Sequence, residues 1–549
     1  MKLKRLALNA LGGLMAVALA ACMLTSCGKS AGSADTLVEN IPSSSVFVLK
    51  INPQQVLENA GCSVDNGKIV LSQKYSDVIK ENAGAAMLNV VNQYLAYTEG
   101  IKLDAIMFFS ADAGAKSAAM TALVSDAEPV KAHLKDLFGN QTEENGYTVF
   151  KNGGVVIAVN DKMMWVADNM AAIERISAEA AKSNLASVGG VGEFLADDNA
   201  FAFVVSLPEI EKTLKAQGID VAAKLERNDV PAPLAEKIAG AMKYYACGSM
   251  AFKGNTVSGE FFLVDKDGKR SEFGKVLNVI DTDFLANVPA DANAVMACGN
   301  IGDADLKSAI DSAVADYKAK AGDTQDAQYL DLLTLWDGTA ALAFECNDLI
   351  AIDPASLVNM SEMQLDETVF AKIKCVAMAH YPAEVVEKYA ARVFDFMRNT
   401  GATPDYAGKG YYKVDSEQGF SLYFGNRYGY LTFANFDIKS NANTLADKFA
   451  GKHLAIYSKA DANPVMARFG WNYGSEGMLW LDDDALRFKM ELTGTSANYL
   501  QAFIEPLTDM NNLQNLMQYF MEMERSVGNS YGSYDEPDFD DYYDYSEDY

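Results

Sequence analysis

Three histidines, His133, His380 and His453, are all the imidazole this chain offers for acid–base or metal work. No H-E-x-x-H or other close histidine pair occurs, so the spacing that places two zinc ligands on one helix face is missing. Each histidine is therefore expected to make a local polar contact. A G-x-S-x-G string does exist, Gly528-Asn529-Ser530-Tyr531-Gly532. A nucleophile elbow needs a strand before it and a helix after it. Here a helix is expected before it and an acidic tail follows, so Ser530 is assigned no chemistry. Gly189-Gly190-Val191-Gly192 lacks the Lys-Ser/Thr pair of a phosphate loop. Asp265-Lys266-Asp267-Gly268 opens like a calcium loop, but its glycine comes fourth and its twelfth residue is Val276, so a polar turn is expected. The carboxylates at Asp197-Asp198, at Asp303 and Asp305, and at Asp482-Asp483-Asp484 are sequence neighbours. Glycoside hydrolysis needs two carboxylates facing each other across a cleft, so solvated surface is the expectation for them. No catalytic, cofactor-binding or metal-ligating residue emerges from these motifs, and no cofactor is expected.

The cysteines lead to a different chemistry. They stand at 22, 27, 62, 247, 298, 346 and 375, with no C-x-x-C pair. Cys247, Cys298 and Cys375 sit in short apolar runs and are expected to be small buried hydrophobes rather than a disulfide framework. Cys27 is set apart by what precedes it. Lys2, Lys4 and Arg5 make a positive start, an apolar stretch runs from about Leu6 to Ala21, and Leu24-Thr25-Ser26-Cys27 closes it. That is the layout of a secretory signal, and its ending resembles the lipobox of bacterial lipoproteins. The resemblance implies a diacylglycerol on the Cys27 thiol, cleavage before it, and acylation of the new amino terminus. Stable anchoring needs more than one acyl chain, which this modification supplies. Residues 1–26 are expected to be the signal peptide and 27–36 the lipidated cysteine with a flexible tether. No later segment approaches the roughly 18 apolar residues of a membrane helix, so the body is expected to be anchored to the bilayer without spanning it. No aspartate and no acidic run follows Cys27. By analogy with other lipoproteins, this favours the outer membrane, facing the periplasm.

The elements behind these motifs change period repeatedly. Val155, Ile157 and Val159 alternate as a half-buried strand does, whereas Val130, Leu134, Leu137 and Phe138 fall on one face of a helix over 127–138. The pair Tyr147–Asp168 reads as strands around a glycine turn. Tyr245–Val264 and Gly477–Leu492 read as hairpins. A helix is expected over about 510–523. Hairpins mixed with isolated helices, without strict βαβ alternation, predict an α+β fold.

Internal echoes predict a tandem duplication of two similar halves, each a mainly antiparallel sheet with helices packed on one face. Ile41-Pro42 before one apolar strand matches Val288-Pro289 before another. Gln93-Tyr94-Leu95 recurs as Gln328-Tyr329-Leu330, and Ala127-Glu128-Pro129-Val130 has its partner in Pro382-Ala383-Glu384-Val385. The expected units are a first repeat over 37–265, a linker over 266–283, a second repeat over 284–527 and a tail over 528–549. Acids and tyrosines crowd the last sixteen residues, with no base among them, so the tail is expected to be disordered.

A formal charge of -28 over 549 residues would repel a phosphate polyanion, and no basic patch offsets it. Nucleic acid is excluded as a partner. The lipobox and the two Ile/Val-Pro strand openings together resemble the domain-of-unknown-function family 4836, envelope lipoproteins of Bacteroides-like bacteria. The resemblance implies location and topology but no activity. The leading expectation is a non-catalytic, lipid-anchored envelope protein that binds a protein, glycan or lipid partner or serves as a scaffold. The alternatives are a carrier of hydrophobic ligands and a carboxylate-based envelope hydrolase.

Overall fold

A computed structural model describes residues 33–110, 118–228, 230–288, 292–321, 335–345, 374–387, 403–406, 411–415, 420–425, 428–433 and 445–531. Cys27, the recurrent Gln328-Tyr329-Leu330 and residues 532–549 of the expected tail lie outside them.

The fold is α+β, as expected, built around one large antiparallel sheet. Its first ten strands are β1 (Phe47–Ile51), β2 (Ile101–Ser110), β3 (Ala118–Val124), β4 (Gln141–Glu144), β5 (Tyr147–Asn152), β6 (Val155–Val159), β7 (Met163–Ala167), β8 (Phe201–Ser206), β9 (Tyr245–Lys253) and β10 (Thr256–Val264). They lie side by side in the order 4-5-6-7-3-2-1-8-9-10. The next ten are β11 (Ala294–Gly299), β12 (Thr339–Glu345), β13 (Lys374–His380), β14 (Thr403–Tyr406), β15 (Tyr411–Asp415), β16 (Phe420–Gly425), β17 (Tyr428–Phe433), β18 (Leu454–Ala460), β19 (Gly474–Leu481) and β20 (Ala485–Thr493). Their order is 14-15-16-17-13-12-11-18-19-20, the same sequence of neighbours. The last strand of each set closes the sheet. β10 and β20 pair antiparallel from Thr256↔Glu491 to Phe262↔Ala485, giving 20 continuous strands.

Backbone contacts recur along with the order. Ser206 donates to the Val46 carbonyl at 2.8 Å, and Lys459 donates to that of Asn293 at 2.7 Å. Asn52 donates to the Ala200 carbonyl at 2.7 Å, and Gly299 to that of His453 at 2.9 Å. Val46 and Asn52 precede Asn293 and Gly299 by the spacing that separates Pro42 from Pro289, whereas Ala200 and Ser206 precede His453 and Lys459 by six residues more.

Helices α1 (Ser33–Val38), α2 (Pro53–Asn59), α3 (Gln73–Ala83), α4 (Ala127–Phe138), α5 (Met170–Ala180) and α6 (Val191–Ala196) belong to the first strand set. Helices α7 (Tyr499–Thr508) and α8 (Met510–Tyr531) follow the second. α4 begins where the Asp126 carboxylate accepts from the Glu128 amide at 3.1 Å and stops at Gly139, φ +79°. A side-chain cap and a left-handed glycine are the ordinary signals for those two ends.

Leu37, Ile173, Ile176 and Leu195 of α1, α5 and α6 pack on Ala105, Met107, Trp165 and Val204 of the sheet. α4 lies on the opposite face, its Val130 against Ile106, Ala122 and Met164. Helices on one face were expected, and the strands explain the difference. Ile106 beside Met107, and Met164 beside Trp165, make both faces apolar, so both must be covered.

Three boundaries also differ. Tyr147–Asp168 holds three strands rather than two. The linker 266–283 carries a 3₁₀ turn, Phe273–Val276, docked on the β19–β20 turn, with the Gly274 amide donating to the Asp483 carbonyl at 2.9 Å. α8 runs on past 523, first through Glu524 and Arg525, residues with good helix propensity, and ends at Tyr531. It thereby takes Gly528–Tyr531 away from the expected tail.

Candidate functional site

Three features stand out where the two strand sets meet: a charged seam, an aromatic groove and a polar cleft. The seam grows from the turn joining β19 to β20, Asp482-Asp483-Asp484. Asp483 is exposed, as expected of these acids, but Asp482 and Asp484 are only partly so, and all three are ion-paired. Asp482 accepts from Lys452 Nζ at 2.8 Å, from Trp480 Nε1 at 3.0 Å and from Arg487. Asp483 Oδ1 lies 2.8 Å from His453 Nε2, and its Oδ2 lies 3.4 Å from Lys275 Nζ. Asp484 is 3.6 Å from both Arg270 and Arg487. The same two arginines grip Glu260 of β10, Arg270 with both terminal nitrogens at 3.1 and 3.3 Å and Arg487 through Nε at 3.3 Å. The Arg270 guanidinium also lies 3.6 Å above the Phe262 ring, close enough for a cation–π contact. The network crosses from one strand set to the other and ties down the linker.

Burial pushes the Asp482 carboxyl up, yet hydrogen bonds from Lys452, Trp480 and Arg487 hold it below the usual range. The hydrogen bond with His453 does the same for Asp483, helped by Lys275. Carboxyls with depressed folded values contribute stability that is full above the ordinary 3.8 and fades as pH falls through the lower folded value. Urea midpoints measured from pH 6 downwards are therefore expected to drop in the wild type below about 4, and less steeply in Asp482→Asn/Asp483→Asn. Parallel curves would show that these acids do not carry the acid limb.

The other motifs resolve as structure too. Asp303 meets Lys237 at 2.7 Å, with Asp305 at 3.5 Å from the same nitrogen. Asp198 accepts from Asn52 at 3.0 Å and Gln55 at 3.3 Å. The Asp197 carbonyl accepts from the fully buried Lys50, whose ammonium is pushed down by burial and raised only partly by Asp198, Asp197 and Asp104. Lys50 was not singled out from sequence, although it falls in the inward phase of Val48, Lys50 and Asn52.

The Asp265 carboxylate accepts from the Asp267 and Lys269 amides at 3.0 and 2.9 Å, making the expected polar turn. Gly189 packs against that turn, and a Cβ on it would lie 2.8 Å from the Asp267 carbonyl carbon. His380 Nδ1 sits 2.6 Å from Asp337. His133 departs from the expected polar contact: its Nε2 is buried with no hydrogen bond among the described residues, and its ring is edge-on to Tyr97. Ser530 lies in α8, with no strand before it. Cys62, Cys247, Cys298 and Cys375 are free thiols. Burial pushes Cys247 up to about 12 and Cys62 to about 11, so both are protonated and inert at neutral pH. No group of three or more His, Cys, Asp or Glu among the described residues could hold a metal ion.

The groove lies on the sheet surface across the seam. Phe201 and Phe203 of β8, Met250 of β9, Phe261 of β10 and Phe488 of β20 line about 320 Å³ of almost wholly apolar space. Two glycines make it. A Cβ on Gly248 would stand 2.4 Å from the Phe203 ring, and one on Gly259 would stand 2.5 Å from that of Phe488. Without side chains at those positions, the rings lie down on the strands.

The cleft is larger, about 640 Å³, and brings α3 from the first set against α7, α8 and two turns from the second. Asn472, Tyr473, Thr495, Thr508, Asn511 and Asn512 supply its polar wall. Lys74 of α3 reaches across to Glu505 of α7 at 2.8 Å. Burial pushes the Tyr473 hydroxyl up to about 12, so it stays a neutral donor.

No family model matches the chain, and no curated protein matches it. Among solved structures, crystal form I of TP0453 aligns at 9% identity over 42% of this chain and 79% of that one, with a TM-score of 0.21. Crystal form III of TP0453 aligns at 10% identity over 44% and 86%, with a TM-score of 0.22. Similarity at that level carries no argument about fold or function. No helix among the described residues is long and apolar enough to cross a membrane.

Proposed function

We propose that this chain is a lipid-anchored cell-envelope protein that binds a partner without transforming it, held through Cys27 to the outer membrane and facing the periplasm. The observation that carries the binding reading is the polar cleft between α3 and α7–α8. Amides, hydroxyls and an internally paired Lys–Glu line it, a set suited to hold a ligand. The acid pairs noted from sequence support the same reading, since lysines, an arginine and the Asn52 side-chain amide already engage them. The anchor rests on the lipobox residues Leu24–Cys27. The common strand order of the two sets supports descent by tandem duplication within the lipoprotein family that the sequence resembles.

A second reading, a carrier of hydrophobic ligands, is favoured by one feature, the aromatic groove over Gly248 and Gly259. Native mass spectrometry of the full chain from its own membranes tests both. The expected result is a mass increment of acyl chains that disappears in Cys27→Ala, with a non-covalent ligand released on activation. A hydrophobic ligand would favour the carrier. Turnover of an envelope polymer by the purified chain would sink the non-catalytic reading, and an unacylated wild type would sink the anchor.

A further inference from the structure

We infer that the cleft between α3 and the α7–α8 corner takes a neutral, polyhydroxylated ligand, the end or branch of a glycan. The inference rests on the binding reading above and names the ligand class for that site. The lining chemistry selects it. Lys74 spends its charge on Glu505, leaving Glu81 and Asp509 as the acids on the wall. An anionic ligand would meet negative charge with no free cation to receive it. A lipid chain would have to strip water from a polar wall, which is unfavourable without replacement hydrogen bonds. An extended peptide of the strand-adding kind needs an open strand edge. The cleft is bordered by helices and turns, and the nearby β20 is already paired on both sides.

What remains is a wall of planar amides and hydroxyls. Each amide offers donors and an acceptor at fixed angles, the complement of a row of sugar hydroxyls. The side-chain amides of Asn472 and Asn511 have no hydrogen bond among the described residues and face no competing partner. Asn512 is held in place, donating to the Pro506 carbonyl at 3.4 Å. It lies against Gly470, where a Cβ would come within 2.6 Å of its nitrogen. Gly470 also takes φ +95°, a backbone that only glycine adopts freely. The wall is thus partly fixed before any ligand arrives, which limits the ordering entropy lost on binding. Tyr473 lines the same wall and packs edge-on against Phe503.

Calorimetric titration of the full chain, in a detergent without a sugar headgroup, tests this directly. The probes are neutral hexose and N-acetylhexosamine oligosaccharides, with dextran sulfate and sodium palmitate alongside. Saturable binding of a neutral oligosaccharide, but not of dextran sulfate, is expected. Asn472→Ala/Asn511→Ala should weaken it at least about tenfold, the loss of two ordinary hydrogen bonds. Both residues are exposed, so an unchanged melting temperature will confirm that the variant folds. Phe203→Ala, in the groove, should bind the oligosaccharide as the wild type does. Failure of every neutral oligosaccharide, or equal binding by the double variant, overturns the inference. Palmitate bound alone and lost in Phe203→Ala would overturn it while leaving a binding protein in its carrier form. Silence from all three probes together with polymer turnover would end both readings.

Discussion

Gly259→Val is expected to open the sheet at its seam, destabilising the protein by about 3 kcal/mol, at the upper end of overpacking effects. The position leaves no room for relief. A Cβ there would stand 2.1 Å from the Ser249 carbonyl oxygen and 2.5 Å from the Phe488 ring. Gly259 pairs with Met250 on one side and with Phe488 on the other, so β10 is held by both neighbours and has no free edge along which to slide. The ring could swing away only by leaving the groove, and the carbonyl only by breaking ladder hydrogen bonds. Gly477→Val in β19 is the matched control. Its Cβ would meet nothing nearer than 3.5 Å, and a β-branched residue suits a strand. Urea unfolding followed by tryptophan fluorescence should separate the two variants, with Gly259→Val alone shifted far down. Coincident curves would mean that the seam relaxes around a side chain and that the glycines do not shape the groove.

What could be read from the sequence was local. Tyr245–Val264 emerged as a hairpin and Ala127–Phe138 as a helix because each carries its own period and its own stop signal. The repeated Pro-strand openings raised the expectation of a duplication for the same reason, since similarity survives as pattern. The seam left no such trace. β10 and β20 are far apart in sequence, and nothing near Gly259 names Phe488 as its neighbour. Glycine within a strand pattern is a signal of close approach, so Gly248 and Gly259 could have been flagged, but not their contacts. The acids of 482–484 illustrate the opposite limit. Three aspartates in a turn read as solvated surface. Their partners Lys452, His453, Lys275 and Arg270 arrive from three other places in the chain. Lys50 was passed over because lysine is rarely buried. The cleft is assembled from α3, the turn at 470–473 and the α7–α8 corner, so no single window of sequence contains it.

Trp165→Ala should be the most damaging change within the first strand set, at about 3–5 kcal/mol. Trp165 is 1% exposed and is among the largest fully buried side chains. It sits where Phe109 meets it edge-on at 6.3 Å, under the helices that cover this face. Deleting the indole removes its transfer free energy and leaves a cavity that close-packed neighbours cannot refill. A second variant tells volume from polarity. The indole nitrogen is buried and makes no hydrogen bond among the described residues, and an unmet buried donor costs roughly 1–3 kcal/mol of desolvation. Trp165→Phe removes that donor along with part of the volume, so the two effects oppose each other. Its net loss should stay below about 2 kcal/mol by the same reasoning. Trp471→Ala supplies the comparison, because that ring is only half-buried and donates to the Phe503 carbonyl at 3.3 Å. Chemical denaturation of the three variants should rank Trp165→Ala well below the others. If Trp165→Phe proved as damaging as Trp165→Ala, the indole nitrogen would be contributing a hydrogen bond within the core under α1 and α5.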